Sequence, residues 1–274
     1  VKEIGAEGFA NNPAISSITL NEGLVSMGSK AFGKTSITSI NIPASLTTMG
    51  EYAFAGSTSL KTITFAPNNQ LKVIPAGAFN GTAIKSITIP DSVKEIGSQA
   101  FSGSKLENIT FGGNSKLEGI GDWAFNNAPL KAIILPDTVK TIGSYAFYGT
   151  QLKTITIPDS VTTIGVGAFG NTDLLKEIKI PTKNRGEITG EPWGNKVGLV
   201  NWKDTLKIGP YVYDVTQKKI VKYIGTTPDA ELDIPNQLEK DGVKYPVESI
   251  LSYAFYDADI SSVNIPNSVK DIDK

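Results

Sequence analysis

The 274-residue chain contains no histidine and no cysteine. Without histidine the usual imidazole general base is missing, and neither a Ser-His-Asp nor a Cys-His constellation can be assembled. Without cysteine there is no thiolate nucleophile, no disulfide, no iron–sulfur cluster and no ordinary zinc site. A metal would have to be held by oxygen alone, and no loop carries the acidic spacing of an EF-hand. The expectation is no metal and no cofactor. Charge of one sign is also lacking: 26 Lys+Arg stand against 27 Asp+Glu, a net charge of −1. A chain with no basic excess has no general electrostatic footprint for nucleic acid or an anionic membrane. Apolar runs such as Ala132-Ile133-Ile134-Leu135 fall far short of the ~18 residues of a membrane span. What remains is a foldable composition, 40% hydrophobic and 19% charged, with 27 Gly and 15 Pro.

The chain repeats. Short β-branched runs ending in proline recur at Ile40-Asn41-Ile42-Pro43, Ile87-Thr88-Ile89-Pro90, Ile133-Ile134-Leu135-Pro136, Ile155-Thr156-Ile157-Pro158 and Ile178-Lys179-Ile180-Pro181. Variants lie at Ile18 to Leu20, Ile63 to Phe65, Ile109 to Phe111, Leu232 to Pro235 and Val263 to Pro266. The last apolar residue of each regular run falls at 20, 42, 65, 89, 111, 135, 157 and 180, so the steps are 22 to 24 residues. A second marker keeps the same beat. An Ile or Met stands five residues before a Phe, usually with Gly after it and Ala before the Phe, from Ile4 and Phe9 through Ile164 and Phe169, and again at Ile250 and Phe255. These slots, with Phe65 and Phe111 in the strand slots, account for all 11 phenylalanines. Phenylalanine is a structural ladder here.

Such a period describes a solenoid. Each Ile-x-Ile strand points two apolar side chains the same way, proline ends it, and a second apolar anchor (Leu46, Val93, Val139, Val161) follows. A glycine bend then leads to a short helical turn ending in Ala-Phe. One coil cannot bury its own apolar face, so coils stack and their strands pair in parallel. The register continues past residue 180: adding 22 to Leu175, Ile178 and Ile180 lands on Val197, Val200 and Trp202, and adding 24 to Phe169 lands on Trp193. Beyond that the steps lengthen to 32 and 31 residues, from 202 to 234 and from 234 to 265. The additional residues read as hairpins, one of Tyr211–Val215 against Ile220–Tyr223 and one turning at Asp241-Gly242. The expected architecture is one continuous domain over 1–274. Regular coils occupy about 1–180, a degenerate tryptophan coil about 181–205, and long coils with hairpins about 206–274. The fold class is an α/β repeat, a right-handed solenoid with a parallel sheet of about 11 strands and short helical turns opposite.

The unit L-x-x-I-x-I-P-x-S-V-x-x-I-G-x-x-A-F-x-G, near complete from Leu152 through Ile157-Pro158 and Ile164-Gly165 to Ala168-Phe169, resembles the BspA-like (Treponema pallidum type) bacterial leucine-rich repeat. The family often carries Cys after Ala-Phe-x-Gly, where this chain has Ser57, Thr82, Ser104 and Thr150. The resemblance implies a leucine-rich repeat fold and a surface-exposed or secreted bacterial protein used in adhesion and binding, without catalytic residues. It implies a host or cell-surface protein or glycan as partner.

Several features call for a functional or a structural reading. Gly165-Val166-Gly167-Ala168-Phe169-Gly170 matches a dinucleotide fingerprint, but these are the Ile-Gly-x-x-Ala-Phe positions of every other coil. The outward strand positions, among them Thr64, Thr88, Thr110, Ile134, Thr156 and Lys179, make a neutral, hydroxyl-rich strip. A lysine column of Lys61, Lys85, Lys131, Lys153 and Lys176, interrupted by Glu107, borders it. Like charges at ~5 Å require solvent or nearby acids, and Asp91, Asp137 and Asp159 lie at another repeat slot. Strip and column are the first candidate binding site. The hairpin tyrosines Tyr211, Tyr213, Tyr223 and Tyr245, which break the repeat, are the second. Trp193 and Trp202 occupy core slots, and Trp123, on a turn, is a candidate exposed ring. The expected function is non-enzymatic recognition by the repeat face. A spacer role in a larger surface protein is the alternative; a two-carboxylate glycosidase, which needs paired acids in a cleft, ranks last. The chain starts and ends inside a repeat, at Val1-Lys2-Glu3-Ile4-Gly5 and Ser268-Val269-Lys270, and reads as a fragment.

Overall fold

The computed structural model describes residues 1–180, 200–202, 205–214, 218–223, 225, 232–251, 254–255, 258 and 260–272. The chain divides into two compact units, Val1–Asn201 and Trp202–Lys274. The first is a β-solenoid with parallel strands stacked coil on coil. Alternation inside each long strand is strict. In Ser39–Ile42 and Ser86–Ile89 the isoleucines are buried and the residues between them exposed. The Trp193 coil lies outside the described residues, apart from a strand at Val200–Trp202, where the extrapolated register expects one.

The expected single sheet is instead two rows of strands. Long strands pair in sets: Ser39–Ile42 with Thr62–Phe65, Ser86–Ile89 with Asn108–Phe111, and Thr154–Thr156 with Glu177–Ile180. Two of the breaks between sets, from 65 to 89 and from 111 to 135, coincide with the two 24-residue steps. Ala132 contributes only an isolated bridge to Asn108, and Ile18–Leu20 forms no strand. The second row comes from the residue pairs ending in the Ile or Met of the glycine marker. Val73–Ile74, Glu95–Ile96, Gly119–Ile120, Thr141–Ile142 and Thr163–Ile164 form a five-stranded parallel sheet. From the second coil on, the glycine after the marker is a packing requirement, whereas Gly5 of the first coil faces open space. A Cβ on Gly165 would lie 2.2 Å from Ser144 N of the preceding coil.

The expected helical turns are not helices; none occurs among the described residues. The Ala-Phe segment is a run of tight turns whose donors alternate. In one coil Ala100, Ser102 and Ser104 donate three residues back, to Gly97, Gln99 and Phe101 O. Between them Gln99, Phe101 and Gly103 donate to Asp122, Ala124 and Asn126 O of the next coil, at 2.8 to 2.9 Å. A helix would send every N–H back four residues. Here the neighbouring coil takes alternate donors, which holds the residues two before and two after Phe left-handed, such as Gln99 (φ 58) and Gly103 (φ 63). Side-chain hydroxyls complete this edge. Thr82, Ser104, Thr150 and Thr172 each donate to the carbonyl of the Phe three residues earlier, at 2.6 to 2.8 Å. That is the use made of the slot three residues after each Phe.

Inside this edge eight phenylalanines stack from Phe9 to Phe169, ring centroids 5.2 to 5.6 Å apart. Seven are fully buried; Phe9, on the first coil, is 40% exposed. The flanking alanines are fully buried as well, which is why no larger residue fits there.

In the second unit both expected hairpins form. Tyr211–Asp214 pairs antiparallel with Lys219–Tyr223, and Gln237–Lys240 with Val243–Pro246 across Asp241 (φ 53) and Gly242 (φ 75). Both turn residues are left-handed, as a type I′ turn requires. A further hairpin, Thr205–Ile208 with Tyr211–Asp214, adds to the expected set. Parallel pairing at a longer step persists, Lys219–Ile220 with Ser249–Ile250 and Leu232–Asp233 with Val263–Asn264.

Candidate functional site

The long-strand face places the first candidate residues as the alternation expects. Thr64, Thr88, Thr110, Ile134, Thr156 and Lys179 are exposed, as are Lys61, Lys85, Lys131, Lys153 and Lys176. Within a paired set the polar side chains bond across coils: Thr64 Oγ1 donates to Asn41 Oδ1 at 2.8 Å, and the Thr88 and Thr110 hydroxyls lie 2.9 Å apart. Lys179 Nζ is 3.5 Å from Glu177 Oε2. Ile134 stands out among them, aliphatic and 88% exposed.

The lysine column is relieved by its own interrupting acid. Lys131 Nζ donates to Glu107 Oε2 at 2.5 Å. That bond, then the charge of Lys131 and the more distant Lys85, holds the Glu107 carboxyl below the usual range. Asp91 has another task, with Oδ1 accepting from Asn114 N at 3.0 Å.

The second candidate set forms a core. Tyr211, Tyr213 and Tyr223 are buried and Tyr245 half-buried, packed with Ile220, Leu238 and Val247. Tyr213 is fully buried, its hydroxyl donates to Pro246 O at 2.5 Å, and burial pushes its pKa up to about 12. These rings supply what a small unit needs most, buried apolar area. Trp123 is half-buried and stacks on Tyr145, centroids 4.2 Å apart. The Gly165–Gly170 motif lies in the turn edge, where the Phe169 ring continues the ladder of stacked rings.

The second strand row carries a charged cluster that the repeat pattern did not single out. Glu118 bonds Lys140 at 2.7 Å and lies 3.6 Å from Lys94. Glu95 and Glu118 line one shallow groove of about 510 Å³. The Lys140 hydrogen bond, the Lys140 charge and the Lys94 charge hold the Glu118 carboxyl below its ordinary range. A glycosidase acid needs the opposite shift. The sequence signal was available, since Lys94, Glu118 and Lys140 hold the same slot two residues before the Ile of successive markers, but only the second row of strands gives it a surface.

Comparison with known proteins follows from this geometry. A leucine-rich repeat protein from Bacteroides ovatus ATCC 8483 superposes with a TM-score of 0.52 at 23% identity, over 100% of this chain and 66% of that one. A leucine rich cell surface protein from Faecalibacterium prausnitzii A2-165 gives 0.48 at 22% identity, over 74% of this chain and 57% of that one. The chain thus spans less than two thirds of either. No curated protein matches the sequence. The BspA type leucine rich repeat region matches in six copies, over residues 1–105, 72–190 and 233–274. With its repeat, its register and most of its length accounted for, the chain belongs to the BspA-type leucine-rich repeat family.

Proposed function

We propose that the chain is a non-enzymatic recognition segment of a bacterial surface or secreted protein, and that its long-strand face holds a protein or glycan of a host or cell surface. The observation that supports it most is the strip itself, exposed hydroxyl, amide and aliphatic side chains in register across coils, bordered by Lys61, Lys85, Lys131, Lys153 and Lys176 against the single acid Glu107. Such a face makes many shallow contacts, and steering by its border favours an acidic partner. Placement outside the cell is part of the proposal and rests on family membership. So does the absence of catalysis.

The test is a binding panel of the immobilised protein against matrix proteins, mucins and sulfated glycans, at low and physiological salt. Saturable binding that weakens at least tenfold in a Lys85→Ser, Lys153→Ser, Lys176→Ser variant supports the reading. Folded protein that binds nothing in the panel overturns it in favour of a spacer.

A further inference from the structure

We propose that the opening between two coils beside Ile134 is a docking groove for a short extended polypeptide segment, lying parallel to the strands. The inference rests on the reading of the strand face as a recognition surface and names its focus. A lone exposed aliphatic residue means little by itself; the backbone around this one adds the argument. The ladder between the two coils consists of one bridge, Asn108 to Ala132, and Ile133–Leu135 belong to no strand. Further on the same coils pair again, Gly119 with Thr141 and Ile120 with Ile142. The coils are pinned at both ends and part between, leaving a groove of about 670 Å³. One wall is Phe111-Gly112-Gly113, where Gly113 brings no side chain and a Cβ on it would meet nothing within 4 Å; the other is Ile134-Leu135-Pro136.

Two features select the occupant. Parted strands present main-chain edges, and another extended chain matches such an edge with its own alternating N–H and C=O groups. A glycan has no such alternation. Charge then sets direction. Lys85, Lys131 and Lys153 stand at the strand-start level with Glu107 as their acid, while Asp137 lies at the far end of the groove. A segment running parallel, with an acidic residue first, an aliphatic residue level with Ile134 and a basic residue last, complements both ends.

The probe is a fluorescein-labelled heptapeptide, Glu-Thr-Val-Leu-Val-Thr-Lys, with its reversed sequence as control, read by fluorescence anisotropy against the whole chain. Saturable binding is expected, at least tenfold weaker for Ile134→Thr and at least tenfold weaker for the reversed peptide. Ile134→Thr restores the residue type of neighbouring coils at an exposed position, so the thermal midpoint should not move. No binding of the probe, equal affinity of wild type and Ile134→Thr, or equal affinity for both peptides overturns the proposal. Sulfated glycan bound through the lysines, with the probe unbound, removes the groove and leaves the face reading standing. Failure of both removes both.

Discussion

The ring of Tyr145 covers Gly167: a Cβ built on that glycine would lie 2.6 Å from Tyr145 Cε1. The two residues hold the same turn slot in successive coils, and the Tyr52 ring meets Gly77 in the same way, at 2.2 Å. Where Trp123 precedes Tyr145 the two rings stack instead. Each side chain on this edge therefore constrains the residue one coil later.

Gly167 also sits at φ 61, so Gly167→Ala meets both a clash and a backbone that disfavours Cβ. The expected loss is about 1–3 kcal/mol by equilibrium denaturation. Adding Tyr145→Ala should relieve the clash but not the strain, recovering part of it. An unchanged midpoint in the single variant contradicts the packing argument.

The phenylalanine ladder should be weakest at its open end. Phe125 is fully buried between Phe101 and Phe147, and Phe125→Ala should cost about 3–5 kcal/mol. Phe9 is 40% exposed with Phe32 as its stacked neighbour, so Phe9→Ala should cost clearly less. Equal losses in urea titrations would refute a ladder in which each ring depends on both neighbours.

Glu107 should titrate below the usual carboxylate range, and Lys131→Ser should move it back up, since the Lys131 hydrogen bond is the first cause of the shift. A lowered folded pKa contributes stability above the unfolded value that is lost as pH falls through the folded one. For an exposed pair that contribution is small and salt-sensitive. Carboxyl-detected NMR titration measures it; an unshifted Glu107 in wild type would contradict the pairing.

Tyr213 has the opposite sign. Its pKa is raised from 10.0 to about 12 by burial first, then by Glu248 and Tyr245. Between those values the unfolded chain releases the proton and the folded one keeps it, so the C-terminal unit should lose stability as pH rises from 10.0 toward 12. Tyr213→Phe should flatten that part of the pH profile, and ultraviolet absorbance should follow the phenol directly. A Tyr213 that ionises near 10 would contradict the burial of its phenol.

Much of the fold was legible because the causes are local. Period-two alternation assigns Ile87 and Ile89 inward and Thr88 outward without reference to any neighbour. Asp241-Gly242 specifies its turn through two residues that tolerate positive φ. The exposed threonine strip follows from the same alternation; the lysine column, two residues before each inward Ile, does not, and is exposed because it precedes the strand. Burial of Tyr211, Tyr213 and Tyr223 was not legible in this way. They interrupt the repeat, and a break in pattern marks a core of different composition as readily as a binding insertion.

The amino-acid sequence by itself determined the period, the inward and outward residues of each coil and the hairpin turns, since sterics and side-chain spacing act within a few residues. Only the tertiary structure decided that the Ala-Phe segments are turns instead of helices, because the choice depends on whether Phe101 N finds Ala124 O in the next coil. It decided too that Ile-Gly pairs build a second sheet, and that the coils part beside Ile134. Those outcomes depend on hydrogen bonds between residues 21 to 25 positions apart, where the geometry of the stack, not the pattern within one coil, selects the partner.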